Sequence, residues 1–355
     1  MPRDPYPYPA PPVGERVFEL PSILRAPEVL DKALGRAAKA TAKGRDRAEK
    51  AHNLAVAKVQ TAGQTIESTL HGYVKAFPTL DRLPPFYREL VDILVDRDRL
   101  RQHLGAVDWA AGKAKELTRA YARRLGRAPI QDIPGLRKEA VGRFASVVNQ
   151  VSGDLDALVE ARIALRKILS LDPELPTIVV AGYPNVGKSA LVRAVSTGKP
   201  KVAAYPFTTQ GVTVGHIERG YHRIQILDTP GLLDRPMEKR NKIERQAIAA
   251  LRYLATVVLF MLDPTETCGY LLEDQLRLLR SVEETFPDVP IVVLENKSDL
   301  GGATAGHLRG SALTGDGLHE LMEVLEKKAT SRGPGGAPRP AAPSRPSPSS
   351  GARGP

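Results

Sequence analysis

Residues 182–189 read GYPNVGKS. Gly182, four intervening residues and then Gly187-Lys188-Ser189 match the phosphate-loop pattern of two glycines, a lysine and a hydroxyl. A GKS tripeptide can arise by chance, so the pattern decides the fold only with a strand before it and a helix after it. Both are predicted. TIVVA, 177–181, is a β-branched apolar run of the kind buried in a parallel sheet, and SALVRAV, 189–195, has helical character.

Further from the loop the same alternation continues. HRIQILDTPG (222–231), ATVVLFMLDP (255–264) and IVVLENKSD (291–299) repeat the strand style. Helix-like segments fall at Ser189–Ser196, Arg240–Tyr253 and Leu271–Phe286. Strands alternating with helices predict an α/β doubly wound, mostly parallel sheet with flanking helices.

The first half reads differently. From Glu28 to about Lys75 good helix formers dominate, and Gly35, Gly44 and Gly63 are expected to interrupt them. Pro84 and Pro85 suit a helix start, after which Phe86, Leu90, Ile93, Leu94, Leu100 and Leu104 recur at helical spacing. Further helices are expected from about Trp109 to Leu125, with Trp109 either in the core or stacking on a base, and from about Gly135 to Leu169. The pattern predicts an all-α bundle with one apolar stripe per helix. The domain reading is a Pro-rich extended lead-in at 1–26, the bundle at 27–172, the α/β domain at 173–330 and a disordered Pro/Gly/Ser/Arg tail at 331–355.

Composition narrows the function classes. The chain has 355 residues, and its 42% hydrophobic content can fill cores. No apolar run approaches the roughly 18 residues of a membrane span, so no membrane partner is expected. The Pro-rich N-terminus lacks the apolar core of a secretory signal. One cysteine, Cys268, suits a reducing compartment, and scattered histidines predict no zinc site. The net charge is +11, yet residues 176–330 are balanced, so the basic excess lies in the flanks. It concentrates at 113–143, where Lys113, Lys115, Arg119, Arg123, Arg124, Arg127, Arg137, Lys138 and Arg143 face only Glu116, Asp132 and Glu139. This is either a solvated helix face or a surface for RNA phosphates.

The loop Gly182, Tyr183, Pro184, Asn185, Val186, Gly187, Lys188, Ser189, Ala190 is expected to cradle phosphates with its backbone N–H groups at a helix N-terminus. Lys188 would neutralise β- and γ-phosphate charge, and Ser189 would give its hydroxyl oxygen to Mg²⁺. A threonine of YPFTTQG, 205–211, could close over the metal. Asp228 of DTPG, at a strand end, could hold it through water, and Gly231 could offer an N–H to the γ-phosphate. In NKSD the Asp299 carboxylate would accept from N1–H and the exocyclic amine of guanine, in company with Asn296 and Lys297. Adenine lacks those donors, so a buried Asp there would reject it. Ser311-Ala312-Leu313 is placed to brace the base. The expected ligands are therefore GTP or GDP with Mg²⁺.

With these residues in hand the chain resembles the Obg-related GTPases, and within them the nucleolar GTP-binding protein (Nog) family in its short archaeal-type form. The resemblance is carried by GYPNVGKS, YPFTTQGVTVGHIE, ILDTPGLLDRPMEKRN, LDPTETCGY and NKSD, and in the first half by FPTLDRLPPFYRELVDILVDRDRLRQHLG. It implies a Ras-like P-loop GTPase domain preceded by the helical bundle. It also implies GTP hydrolysis as a switch in assembly of the large ribosomal subunit. The implied partners are rRNA or the subunit precursor, and a protein activator. The implied location is the cytoplasm, on ribosomes.

The resemblance favours Thr209 over Thr208 as the second side-chain metal ligand. It also suggests that Asn185 coordinates K⁺, although Asn185 could equally just fit the loop. Two departures stand out. Leu232 occupies the place where many small GTPases keep a glutamine that orients water, which implies slow turnover without an activator. Only Leu300–Gly306 separate NKSD from HLRGSAL, too few for a crossover helix, so the last strand is expected to be short or absent. A regulatory GTPase acting on a protein partner, and a GTP-locked RNA-binding scaffold, are the alternative readings.

Overall fold

The computed structural model describes residues 18–168, 171–203, 205, 211–219, 222–235, 240–302, 304 and 306–331. Most of the Pro-rich lead-in, the tail beyond 331, and Thr208 and Thr209 lie outside the described residues.

The N-terminal half folds as six α-helices: α1 Ala26–Ala38, α2 Arg47–Ala76, α3 Pro85–Val95, α4 Arg97–Leu125, α5 Ile133–Gln150 and α6 Ser152–Leu165. The central helix is α4, packed against α2, α5 and α6. Asp46 caps α2 by accepting from the Glu49 N–H at 2.7 Å, while the Glu49 carboxylate accepts from the Arg45 N–H at 2.7 Å. Tyr87 on α3 is buried, and its hydroxyl donates to Leu171 O at 2.5 Å and accepts from Leu171 N at 2.7 Å. That pair fixes the segment leaving the bundle, and burial raises the phenol's pKa.

Several sequence expectations need correcting here. Gly35 and Gly63 do not interrupt helices; they lie inside α1 and α2, and of the three glycines only Gly44 falls between them. The reason at Gly63 is close helix packing. A Cβ there would stand 1.7 Å from Thr118 Oγ1 on α4 and 2.9 Å from Phe144 Cζ on α5. Trp109 is half exposed, not core, because α4 turns the small face Ala110, Ala111 and Ala114 inward, leaving no room for an indole. The apolar spacing from Phe86 to Leu104 reads as continuous, but the chain breaks at Asp96. This residue adopts φ 52° and caps α4 by accepting from Asp98 N and Arg99 N at 3.2 and 3.3 Å. Likewise the segment read as one helix over 135–169 divides at buried Val151 into α5 and α6. Gly63→Ala is expected to destabilise the bundle by about 1–3 kcal/mol through overpacking, read as a lower urea midpoint.

The second half is a seven-stranded sheet: β1 Thr177–Ala181, β2 Lys201–Ala203, β3 Val212–Arg219, β4 His222–Asp228, β5 Val257–Leu262, β6 Ile291–Glu295 and β7 Leu308–Arg309. The strand order is β2-β3-β4-β1-β5-β6-β7. The β1–β4, β1–β5, β5–β6 and β6–β7 pairings are parallel, whereas β3 and β4 form an antiparallel pair. The helices are α7 Lys188–Val195, α8 Lys242–Leu251, α9 Leu272–Thr285 and α10 Leu318–Thr330. Of these, α7 packs on β4, α9 on β5, and α10 on β1 and β5. Every residue of β1 and β5 is buried, which explains their unbroken apolar runs. The fold is thus a Ras-like, mostly parallel sheet with flanking helices, preceded by an all-α bundle.

The last strand, β7, is two residues long and runs parallel to β6. Among the described residues of the connection, the regular element is the one-turn helix Ser298–Leu300. Buried Glu295 at the end of β6 holds the connection by accepting from Thr304 N at 3.0 Å and from the Thr304 hydroxyl, with His307 Nδ1 at 3.0 Å.

The two compact units do not follow chain order. Segments 203–212 and 240–250 cluster with the helical residues 1–172, and the rest of the α/β half forms the second unit. Within the first unit the Tyr205 ring stacks on Phe86 of α3 at 6.5 Å, and its buried hydroxyl donates to Ala247 O of α8 at 3.0 Å.

Candidate nucleotide site

The phosphate loop leaves β1 at Gly182 and enters α7 at Lys188. Two glycines are required by its geometry. Gly182 has φ 135°, and a Cβ would lie 2.5 Å from Met261 O on the neighbouring strand. Gly187 has φ 104°, and a Cβ would lie 2.2 Å from Asn296 Nδ2. Asn185 between them is also left-handed, at φ 62°, and exposed. Tyr183 and Val186 are buried, while Pro184 and Ala190 are partly covered.

The Lys188 ammonium spans the loop, donating to Gly182 O at 2.8 Å and Tyr183 O at 2.7 Å. Burial lowers its pKa, and the carboxylates of Asp228 and Asp234 partly offset that fall. A buried cation satisfied by two neutral carbonyls is well placed to be attracted to phosphate oxygens.

At the end of β4, Ser189 Oγ hydrogen-bonds Asp228 Oδ2. Asp228 is fully buried, and its Oδ1 has no hydrogen-bond partner among the described residues. An orphaned buried carboxylate oxygen next to a hydroxyl is a hard-oxygen donor set that fits Mg²⁺. No cluster of three or more His, Cys, Asp or Glu side chains occurs among the described residues. Thr209, favoured as the second side-chain ligand, lies outside the described residues.

Gly231, at φ 80°, donates its N–H to Asp234 Oδ2 at 2.9 Å. The donor assigned to a γ-phosphate therefore already holds an anionic oxygen. Sequence reading missed Asp234; its place three residues beyond DTPG carried no motif. Leu232 is fully buried, so its side chain belongs to the core.

At the base end, one side chain ties three motifs together. Buried Asn296 donates through Nδ2 to Val186 O at 2.7 Å in the phosphate loop, and its Oδ1 accepts from Ala312 N at 2.8 Å. Ser311 is buried, and its Oγ accepts from Leu313 N at 3.3 Å and Thr314 N at 3.2 Å. The Ala312 and Leu313 N–H groups are thus both engaged within the protein, while the Leu313 side chain is 86% exposed. Lys297 takes a left-handed backbone, φ 61°, and donates to Asp263 Oδ2 at 2.7 Å and Thr267 Oγ1 at 2.8 Å. Asp299, read from sequence as buried, is exposed in the one-turn helix Ser298–Leu300. The turn follows the end of β6, and among the described residues Asp299 is left exposed and open to a ligand. Asp263, Thr267 and Gln275 belong to LDPTETCGY and the helix after it. The string was visible in the sequence, but nothing there assigned those residues a role.

Comparison with known proteins shows similarity in both halves of the chain. The family profile described as the NOG1 N-terminal helical domain matches residues 18–172, and that of nucleolar GTP-binding protein 1 (NOG1) matches 242–299. An uncharacterized protein of Methanocaldococcus jannaschii is 40% identical over 287 residues, covering 79% of this chain and 80% of its own length. Nucleolar GTP-binding protein 1 of Drosophila melanogaster is 36% identical over 244 residues, and that of Saccharomyces cerevisiae 35% over 245, each match covering 68% of this chain. The matched region spans only 37% and 38% of those two longer relatives. Among solved structures, the G domain of the T. maritima FeoB iron transporter matches 44% of this chain and 99% of its own, at 23% identity and a TM-score of 0.37. With both profiles and these relatives aligned to it, the chain belongs to the nucleolar GTP-binding protein 1 family.

Proposed function

We propose that the chain binds GTP with Mg²⁺ and hydrolyses it as a switch during assembly of the large ribosomal subunit. The observation that carries the reading is Asn296, which joins the phosphate loop, NKSD and the Ser311–Leu313 loop at one end of the sheet. The name of the family supports the nucleotide.

In the proposed reaction water attacks the γ-phosphate, and GDP and phosphate leave. The Lys188 ammonium trades the carbonyls of Gly182 and Tyr183 for phosphate oxygens and stabilises charge that grows in the transition state. Asp228 and Ser189 would hold Mg²⁺, which when bound neutralises β- and γ-phosphate oxygens. Gly231 releases Asp234 to donate to the γ-phosphate. With Leu232 buried, no side chain at that position orients the water, so intrinsic turnover is slow. Asn185 could recruit K⁺; equally, asparagine tolerates a left-handed backbone better than most residues, and that alone accounts for it. Equal rates in K⁺ and Na⁺ would dispose of the K⁺ role.

The proposed partner surface is the basic face of α4 and α5. Arg119, Arg123 and Arg127 follow one another at helical spacing and are exposed, as are Arg137 and Lys138. Lys113, Lys115 and Arg124 are instead paired with Glu116, Glu67 and Glu139. Phosphate contacts by these exposed residues would make association with rRNA or the subunit precursor fall by about 0.7–0.9 log units per contact for each tenfold rise in salt. Among the described residues no helix is long and apolar enough to cross a membrane.

Titration with GTP and ATP tests the core of the proposal. GTP should bind roughly 10³-fold or more tighter, and Lys188→Ala should abolish that binding. A preference for ATP, or binding of neither purine with Mg²⁺ supplied, refutes it. Gradient sedimentation with a non-hydrolysable GTP analogue should place the protein with large-subunit precursors. Multiple-turnover phosphate release separates a working switch from a GTP-locked scaffold, the reading that buried Leu232 favours.

A further inference from the structure

We propose that Asp263 is a positioning residue for guanine recognition: acting through Lys297, it holds the NKSD turn in the conformation that presents Asp299. The proposal rests on the GTP-binding reading above and adds a residue outside its motifs.

The geometry is that of a clamp. Asp263 follows β5 directly and is fully buried. Its Oδ1 accepts from Thr265 N at 3.1 Å and Thr265 Oγ1 at 2.5 Å. Its Oδ2 accepts from Thr267 Oγ1 at 3.0 Å, Cys268 N at 2.8 Å and Lys297 Nζ at 2.7 Å. A carboxylate offers about four lone-pair sites, so these five donors exhaust it. Asp263 has no capacity left to bind a metal or accept a substrate proton, which makes it a holder of other groups.

What it holds is strained. Lys297 sits at φ 61°, a region that side-chain-bearing L-residues adopt at a cost and keep only when surrounding contacts insist. Its ammonium is tied to Asp263 and Thr267, while Asn296 just before it is tied to Val186 and Ala312. The turn is therefore pinned at two successive residues, and Asp299 follows two positions later with its carboxylate uncommitted among the described residues. Pre-setting such a turn before ligand arrives removes ordering cost from binding.

The clamp is itself anchored. Buried Gln275 on α9 accepts from Asp263 N at 2.7 Å and donates to Asp263 O and Tyr270 O, both at 3.0 Å. The Tyr270 ring lies 4.3 Å from the Tyr183 ring of the phosphate loop. Burial alone would raise the Asp263 pKa, but hydrogen bonds from Lys297, Thr265, Thr267 and the Cys268 N–H lower it to about 2. The clamp therefore stays charged throughout the neutral range.

Inosine triphosphate, which lacks the exocyclic amine, supplies a readout that a merely structural role would not move. The ratio of GTP to ITP affinity reports how well Asp299 meets that amine. In Asp263→Asn and in Lys297→Met, GTP affinity should fall on the order of 10²-fold, the scale of an approximately 1 Å misplacement, and the GTP:ITP ratio should fall towards one. Should Asp263→Asn fail to fold, Lys297→Met alone carries the test, since four of the five donors to Asp263 survive. A double variant no worse than either single one places both residues in one device. If the unaltered protein discriminates GTP from ITP and both variants keep that ratio, with GTP and ITP weakened equally or not at all, the clamp is refuted. If the unaltered protein does not discriminate, it is the guanine reading that fails.

Discussion

Asp299→Asn is expected to weaken GTP binding by roughly 10²–10⁴-fold and to strengthen binding of xanthosine triphosphate. Two hydrogen bonds to a charged acceptor, each contributing about 1.5–3 kcal/mol, set the loss; at 1.4 kcal/mol per tenfold they give that range. An asparagine amide offers one acceptor and one donor where the carboxylate offered two acceptors. Xanthine carries a carbonyl in place of guanine's exocyclic amine, so the new donor meets an acceptor. Asp299 is exposed and makes no ion pair among the described residues, so the melting temperature should not move. Competition of GTP and XTP against a fluorescent nucleotide reads both changes. Unaltered GTP affinity would mean that this carboxylate does not read the base.

Gly187→Ala should be strongly damaging to the phosphate loop. The left-handed backbone costs about 1–2 kcal/mol with a side chain present. The added methyl also meets Asn296 Nδ2 at 2.2 Å. Asn296 cannot swing aside without losing Val186 O and Ala312 N, so overpacking of about 1–3 kcal/mol is added. A total near 2–5 kcal/mol should appear in the urea midpoint, together with loss of nucleotide binding. Gly198→Ala is the control: its Cβ meets nothing within 4 Å, and its effect should stay within about 0.5 kcal/mol. Equal effects at the two sites would show that Asn296 does not constrain the loop.

Where the sequence could be read and where it could not follows from the range of the forces involved. The strand before the phosphate loop and the strands ending in DTPG and NKSD announced themselves, because buried parallel strands need continuous apolar runs. The antiparallel β3 was overlooked because its burial pattern does not alternate: Val214 and Gly215 are buried side by side, and buried Ile217 is out of phase with Val212 and Val214. Helix limits at Asp96 and Val151 depend on a local left-handed cap and on packing to α4, neither of which leaves a periodic trace. Gly63 and Trp109 were misread for one reason: the spacing between α2 and α4 is set by a contact 55 residues away in sequence, at Thr118. Site motifs at strand ends were legible because their spacing is local. The Asp263 clamp was not, since Lys297 lies 34 residues away, and Asp234, though bonded to nearby Gly231, has no defining motif.

The stack of Tyr205 on Phe86 bears on how this protein can be dissected. A recombinant fragment starting at the strand before GYPNVGKS would keep every nucleotide motif and still lose the floor beneath Tyr205. The aromatic ring would then lose its stacking partner, while its hydroxyl bond to Ala247 O of α8 could remain. Catalytic constants obtained on such a fragment would describe a looser machine than the intact polypeptide.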